Sequence, residues 1–276
     1  MMAKLEKFSV LMSVYIKEKP EYLSAALFSI YETQTLKPDE IVLVEDGTLT
    51  NELYSVLDEW EKKLANRVQR IKIPINLGLG KALNEGLKRC QYNLILRMDS
   101  DDISLPDRFE KQVTFMSNNP DIVIVGGQIE EFVDDAKNIR DKRNVPLNNL
   151  DIIKYAKYRS PFNHPCVSYR KNIIESVGGY QHHQFMEDYN LWIRVLSQDY
   201  LVANLPDILL SMRCGDNMIG RRKGIQYIKS EWILARLKIH NKFQNPVSAY
   251  FLFFFRASIR LTPMIFLRKI YSLLRR

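Results

Sequence analysis

Short apolar runs alternate with helical patterns along the first hundred residues, and this alternation constrains the fold more than any other feature. Runs with the character of buried strands lie at residues 8–15, 41–44, 70–75 and 94–98. Helical spacing of apolar residues lies between them, at residues 22–35, 53–64 and 79–89. Strands that alternate with helices predict an α/β protein with a mainly parallel, Rossmann-like sheet covered by helices on both faces.

The pattern continues less regularly after residue 106, where Pro106 is expected to open a helix that runs to residue 116. We predict a strand at residues 122–125 that continues to residue 133, and a loop or flap at residues 134–149. A short strand is predicted at residues 163–169. Helices are predicted at residues 171–177 and from residue 186 onward.

Length and cysteine content place the chain among ordinary globular proteins. It has 276 residues, 46% of them hydrophobic, which is enough for one large core or two smaller ones. Cys90, Cys166 and Cys214 are widely separated, so we expect reduced thiols that serve as small packing residues. Residues 1–7 lack the pattern of a secretory leader, which leads us to expect a cytoplasmic protein.

Polar side chains follow the predicted parallel strands. Ser13 and Tyr15 end the first strand, Asp46 the second and Asp99 the fourth. Ligands of open α/β sheets bind beyond the carboxyl ends of the strands. We therefore expect these residues to converge on one edge of the sheet and to contact a ligand there.

Three carboxylates, Asp99, Asp101 and Asp102, follow the fourth strand within four residues. Their mutual repulsion is relieved if a cation binds between them or if one stays protonated. Oxygen ligands favour a hard divalent ion, and Mn²⁺ or Mg²⁺ would leave positions open for substrate phosphates. Ile103 and Ser104 exclude a calcium-hand loop, because an oxygen ligand and a glycine belong there. The simpler alternative is a solvated acidic turn.

Each of the other candidates has a structural alternative. Asp46 could bind a base or ribose, or it could only form the turn before Gly47. Lys81 could reach a phosphate, although a solvated lysine is more common. His164 could line an acceptor site or be purely structural. Glu187 and Asp188 could cap a helix, or Asp188 could act as a general base.

Taken together, six segments resemble the family-2 glycosyltransferases, which have the GT-A fold and invert the anomeric centre of a nucleotide sugar. The resemblance covers about residues 8–213. The matching segments are Phe-Ser-Val-Leu-Met-Ser-Val-Tyr (8–15), Val-Glu-Asp-Gly (44–47), Asn-Leu-Gly-Leu-Gly-Lys-Ala-Leu-Asn-Glu-Gly (76–86), Arg-Met-Asp-Ser-Asp-Asp (97–102), Asn-His-Pro (163–165) and Met-Glu-Asp-Tyr-Asn-Leu-Trp (186–192).

The resemblance implies roles for individual residues. It implies that Asp46 binds the nucleotide base, that Asp99 and Asp101 form an Asp-x-Asp site for metal and ribose, and that Asp188 is the catalytic base. The Gln-x-x-Arg-Trp signature of processive members is absent, so transfer of a single sugar is expected. Many relatives have a histidine soon after the arginine that matches Arg213, whereas this chain has Cys214.

The resemblance also suggests a biological setting. Residues 212–222 resemble bacterial transferases that build O-antigen or exopolysaccharide repeat units, some of which transfer galactose from UDP-galactose. The implied donor is a UDP-sugar. The implied acceptor is a saccharide linked to polyprenyl diphosphate, and the implied location is the inner face of the bacterial inner membrane.

The basic charge of the chain is concentrated near its C-terminal end. Residues 221–276 contain 13 Lys or Arg and one acid, so the net charge of +8 leaves −4 for residues 1–220. We therefore divide the chain into a transferase domain, residues 1–220, and a basic helical region, residues 221–276. The longest uncharged stretch, residues 243–255, has 13 residues and is too short to cross a bilayer, which takes about 20.

Apolar and basic residues are mixed at residues 249–276, which is typical of an interfacial helix drawn to anionic lipid. The cations of this segment are Arg256, Arg260, Arg268, Lys269, Arg275 and Arg276. The alternative is a helix pair that packs on the body. A nucleic-acid-binding module is disfavoured, because an unbroken aromatic block suits lipid better than stacked bases. A nucleotide-sugar-binding protein without turnover is the alternative function, and the intact Asp99, Asp101 and Asp188 argue against it.

Overall fold

The computed structural model describes residues 4–215 and 224–261. Within these residues, nine strands form a single sheet. The strands are β1 (Phe8–Val14), β2 (Glu40–Asp46), β3 (Val68–Ile73), β4 (Leu94–Asp99), β5 (Ile103–Ser104), β6 (Ile122–Phe132), β7 (Ile139–Arg143), β8 (Ser168–Arg170) and β9 (Leu201–Arg213).

Helices of the described residues follow the same order along the chain. They are α1 (Pro20–Tyr31), α2 (Asn51–Leu64), α3 (Leu79–Arg89), α4 (Arg108–Asn118), α5 (Asn149–Ala156), α6 (Lys171–Ser176), α7 (Glu187–Leu196), α8 (Ile225–His240) and α9 (Pro246–Leu261). No helix in this part of the chain combines the length and apolar character that crossing a bilayer requires.

The sheet confirms the predicted α/β architecture. Its strand order is β3-β2-β1-β4-β8-β6-β9-β5, with β7 paired to β6. Neighbours among β3, β2, β1 and β4 are parallel, as are β6 and β9. The short strand β8 is antiparallel to both β4 and β6, so it joins the two parallel parts.

Two apolar clusters cover the two faces of the sheet, as the alternation of side chains along a strand requires. In β1, Leu11 belongs to one cluster, while Val10 and Met12 belong to the other. Helix α3 packs very closely on this sheet at Gly86, where a Cβ atom would lie 2.6 Å from a methyl group of Val44. A side chain at position 86 would therefore separate the helix from the strands.

Three predictions for the middle of the chain were wrong in detail. The expected loop at residues 134–149 contains β7, an edge strand whose sequence, Ile-Arg-Asp-Lys-Arg, has no apolar alternation. The expected strand at residues 163–169 begins with a 3₁₀ turn at His164–Cys166, where Pro165 removes a backbone donor, and only Ser168–Arg170 is a strand. The helix after Pro106 begins at Arg108.

The C-terminal helices pack on the body of the protein and on each other. Tyr227 and Leu234 of α8 belong to the same apolar cluster as Trp192 of α7. The buried Lys238 Nζ of α8 donates hydrogen bonds at 2.8 Å to the Tyr189 hydroxyl and to a backbone carbonyl. The predicted domain boundary at residues 220 and 221 lies outside the described residues.

The three cysteines are buried thiols, in agreement with the prediction that they are packing residues. Burial raises the pKa of the Cys90 thiol to about 12 and that of Cys166 to about 11. Both thiols are therefore protonated at neutral pH, which makes them poor nucleophiles.

Candidate active site

The carboxyl ends of β1 and β4 place Ser13 beside Asp99. These two residues are register partners in the parallel pair, because β1 and β4 run side by side. Tyr15 follows β1 and is exposed. The structure thus brings Ser13 and Asp99 together at the predicted edge of the sheet.

The acidic cluster forms where β4 ends. Oxygen atoms of Asp99, Asp101 and Asp102 lie within 4.8 Å of one another. Burial, together with the nearby carboxylates of Asp99 and Glu18, raises the pKa of Asp101 to about 7. Burial likewise raises the pKa of Asp102. The cluster therefore combines high negative charge density with poor solvation, and a cation would relieve both.

A buried arginine, Arg97, compensates part of this charge. Its guanidinium donates to both carboxylate oxygens of Asp99, one of them at 2.7 Å and the other at closer range. Arg97 lies in the middle of β4 and is 1% exposed. We did not predict its role, although residues two apart in a strand share a face, and this spacing signals the pair.

Arg213, at the end of β9, binds the acidic loop through hydrogen bonds. Its backbone N–H donates to Asp102 Oδ1 at 2.8 Å, and its Nε donates to the Asp101 carbonyl at 3.1 Å. The guanidinium also stacks over the ring of Tyr22 at 3.7 Å. Asp102 Oδ2 is buried and has no hydrogen-bond partner among the described residues.

The donor set fits a hard divalent cation. It offers carboxylate oxygens alone, one of which is buried and without a partner. Such oxygens suit Mg²⁺ or Mn²⁺ better than a softer metal, which would prefer nitrogen or sulfur ligands. Asp101 is the most suitable ligand, because both oxygens of Asp99 already accept from Arg97.

Asp46 is buried at the end of β2 and organises the loop that leads into α3. Its carboxylate accepts hydrogen bonds from the backbone N–H groups of Leu77 (2.7 Å) and Gly78 (3.0 Å) and from the Asn76 side chain (3.0 Å). Gly78 has φ +85°, a left-handed conformation that suits glycine. Asp46 therefore has a structural role, as in the turn-forming alternative, but it stabilises the loop before α3 as well. Base binding by Asp46 remains a prediction.

Asp188 lies in the first turn of α7, and Ser160 Oγ donates to its carboxylate at 3.4 Å. Burial raises its pKa, whereas the backbone N–H of Tyr189 and the guanidinium groups of Arg143 and Arg97 oppose that rise. The helix N-terminus favours a carboxylate here, but neither Asp188 nor Glu187 is the N-cap residue, which is Met186. Burial also raises the pKa of Glu187.

His164 is held by Tyr180. Its Nε2 lies 2.9 Å from the Tyr180 hydroxyl. Burial lowers the pKa of His164 well below its usual value, and the positive charge of Arg97 adds to this, so the imidazole is neutral. Tyr180, Ser160 and Arg97 are additions to the predicted site, and only the position of Arg97 in an apolar strand was visible in the sequence.

Helix α3, the start of α7 and Arg97 bring the candidate residues of the sheet edge close to Glu187, Asp188 and His164. A Cβ atom on Gly80, in the first turn of α3, would lie 3.4 Å from Cγ of Glu187. The charge of Arg97 acts on His164 and Asp188 as well as on Asp99. Lys81 is exposed in the first turn of α3, and its contact with a phosphate remains a prediction. Arg97 thus links the acidic cluster, a candidate cation site, to Asp188, a half-buried potential base.

Comparison with known proteins identifies the family. The model of the family described as "Glycosyl transferase family 2" matches residues 9–178. The chain belongs to this family. It is similar to the amylovoran biosynthesis glycosyltransferase AmsE of Erwinia amylovora, with 47% identity over 96% of this chain and 98% of that protein.

A second relative of this family-2 glycosyltransferase is named for its reaction. The UDP-Gal:alpha-D-GlcNAc-diphosphoundecaprenol beta-1,3-galactosyltransferase of Escherichia coli is 43% identical over 82% of this chain and 80% of that protein. Among solved structures, the mannosyltransferase PcManGT of Pyrobaculum calidifontis, in complex with GDP-Man and Mn²⁺, has a TM-score of 0.63. It is 13% identical over 98% of this chain and 81% of that one. The predicted GT-A fold is thereby confirmed.

Proposed function

We propose that this family-2 glycosyltransferase is a metal-dependent, inverting and non-processive enzyme of bacterial surface polysaccharide synthesis. It moves one sugar from a UDP-sugar onto a saccharide linked to polyprenyl diphosphate. The observation that carries the proposal is the position of Arg97, which pairs with Asp99 of the acidic cluster and whose charge also acts on the half-buried Asp188 of α7.

The donor part of the proposal rests on the edge of the sheet. Asp101, with Asp99 and Asp102 beside it, would hold Mn²⁺ or Mg²⁺. The bound ion would neutralise negative charge on the diphosphate of the donor, and more so in the transition state than in the ground state. Ser13, Tyr15 and Asp46 would contact the nucleotide, and Lys81 would contact a phosphate. The name of the Escherichia coli relative supports UDP-galactose as the first donor to test.

The reaction then needs one proton acceptor. Asp188 takes the proton of the acceptor hydroxyl while that oxygen bonds to C1 of the donor sugar. The bond from C1 to the diphosphate oxygen breaks on the opposite face, and the nucleoside diphosphate leaves with the bonding electrons. Burial raises the pKa of Asp188, which makes its carboxylate a stronger base than an exposed one. Glu187 and the neutral His164 would line the acceptor side.

The acceptor and the location belong together in the proposal. A sugar on polyprenyl diphosphate is anionic and is held at a bilayer surface. The basic region at residues 221–276 would bring the enzyme to the inner face of the bacterial inner membrane through anionic lipid. Relatives named for amylovoran biosynthesis and for a diphosphoundecaprenol-linked substrate support this setting.

The deciding experiment is a screen of nucleotide sugars with the purified protein, with and without Mn²⁺ or Mg²⁺. We expect metal-dependent release of UDP, and transfer when a polyprenyl-diphosphate-linked GlcNAc is added. Donor binding without release or transfer under any of these conditions would instead indicate a nucleotide-sugar-binding protein.

The role of Asp188 has its own test. Asp188→Asn should lower the transfer rate by about 10²–10⁴-fold, because general base catalysis contributes about that much, while donor affinity stays nearly the same. Asp121→Asn, at an exposed position in the turn between α4 and β6, is the matched control and should retain full rate. Wild-type turnover by the Asp188→Asn protein in a radiolabelled transfer assay would refute the assignment.

A further inference from the structure

One side of α9 exposes four large apolar side chains. Val247, Phe251, Phe254 and Phe255 are 81%, 74%, 64% and 57% exposed. Their spacing of four, seven and eight residues from Val247 places them on one face of the helix. We refer to these four residues as the apolar face of α9. Exposed apolar clusters of this kind mark binding surfaces more often than isolated apolar residues do.

The opposite side of α9 is fixed to α8 by charge. Arg256 donates to the buried carboxylate of Glu231 at 2.8 Å, and Arg260 donates to it at 3.4 Å. The sequence pattern had assigned both arginines to a lipid-facing surface, whereas the structure turns them toward the body. Their charges are compensated within the protein, and the apolar face is turned outward.

Aromatic contacts reinforce this orientation. Trp232 of α8 stacks on Tyr250 with ring centroids 5.3 Å apart, and it meets the edge of Phe253 at 5.2 Å. The helix is therefore held on two sides of its inward surface, by rings and by ion pairs. An outward apolar face that is fixed in this way loses little conformational entropy when it binds a partner.

Charge indicates which partner fits. Helix α9 has no Asp or Glu, and in the sequence residues 262–276 add four Lys or Arg and again no acid. An apolar face that is followed in the sequence by a basic segment without acids is complementary to the boundary between acyl chains and head groups of an anionic bilayer. A protein partner would need a large apolar patch and an acidic rim together.

We propose that the apolar face of α9 inserts into the head-group boundary of an anionic bilayer, with Phe251, Phe254 and Phe255 as the inserted side chains. This inference deepens the membrane part of the proposed function and rests on it for its setting. It divides membrane binding into two components. The basic residues give a component that salt screens, and the apolar face gives one that persists in high salt.

The test is sedimentation of the full-length protein with vesicles of equal parts phosphatidylcholine and phosphatidylglycerol. The test variant is Phe251→Ser/Phe254→Ser. The matched control is Phe28→Ser/Leu150→Ser, which removes two apolar side chains exposed elsewhere on the surface, on α1 and α5. Circular dichroism of both variants checks that they are folded.

In about 1 M salt, where the Debye length is about 3 Å, we expect the test variant to partition at least 10-fold less than wild type and the control within about 2-fold. Equal partitioning of test variant and wild type in high salt would overturn the proposal. So would a wild-type dimer in solution that the test variant disrupts without a change in vesicle binding, because the face would then bind a second copy.

The vesicle result is independent of turnover. If sedimentation follows the expected pattern but no nucleotide sugar is cleaved, the proposed reaction fails and the docking surface stands. If transfer to a water-soluble acceptor is normal and high-salt binding is unaffected by the substitutions, the docking surface fails and the proposed reaction stands.

Discussion

Replacing Asp101 by Asn should stabilise the metal-free protein at alkaline pH while it removes the principal candidate metal ligand. Burial raises the pKa of Asp101 from 3.8 to about 7 in the folded state. The folded protein therefore binds a proton that the unfolded chain releases between these pH values. It follows that Asp101 reduces the free energy of unfolding progressively as the pH rises from about 4 to 7.

The size of the effect follows from the shift. A shift of roughly three units corresponds to about 4 kcal/mol above pH 7, since one unit is about 1.4 kcal/mol. Asp101 is only partly buried and interacts with other carboxylates, so we expect about 2–4 kcal/mol at pH 8 and about 1 kcal/mol or less at pH 4. For a chain of this size, the gain at pH 8 should raise Tm by roughly 3–7 °C.

The assay is thermal unfolding followed by circular dichroism, in a chelating buffer, at intervals from pH 4 to pH 8. Asp121→Asn, at an exposed position, is the control and should show no growing advantage over wild type. Saturating Mn²⁺ should offset this advantage, because it should stabilise wild type more than Asp101→Asn, by about 2.7 kcal/mol at a 100-fold excess over Kd. A gain that is absent at pH 8, or equal at pH 4 and pH 8, would refute this account of the cluster.

Three further substitutions test the packing. Gly86→Ala should lower the free energy of unfolding by about 1–3 kcal/mol in denaturant titrations, because the methyl group enters the contact between α3 and the sheet. No loss would mean that the helix can shift. Glu231→Gln should cost about 3 kcal/mol, because Arg256 and Arg260 lose their buried counter-charge, and should make α9 sensitive to proteolysis. An intact α9 would contradict this. Burial lowers the pKa of Lys238 to about 7, so wild-type stability should rise relative to Lys238→Met from pH 7 to 10. A constant difference between the two proteins would contradict that assignment.

The first half of the fold followed from sequence because its strands are buried on both faces and its helices have one apolar side. The predicted and observed bounds of α3 coincide, and β1, β2 and β4 differ from prediction by a residue or two. The position of the acidic cluster could also be predicted from the strand pattern. It directly follows an unmistakable strand, so its place at the sheet edge is fixed by topology.

The second half depends on contacts that no local pattern reveals. We did not predict β9, whose long pairing with β6 stabilises a sequence interrupted by Pro206. The outward apolar face of α9 could not be derived either. Arg256 and Arg260 follow a block of phenylalanines in that segment, and their contact with the buried Glu231 of α8 decides which side of the helix faces inward. The buried Lys238 has the same dependence on a tertiary partner.

The position of β8 has a consequence for biosynthesis. This strand is made long after β1–β4, yet in the described part of the chain it lies between β4 and β6 and connects β1–β4 to the other strands. While the ribosome synthesises residues 100–167, the nascent chain therefore exposes an unpaired strand edge along β4. The sheet cannot be completed during translation until β8 pairs with β4. Slow elongation over residues 100–167 should therefore favour aggregation or chaperone capture.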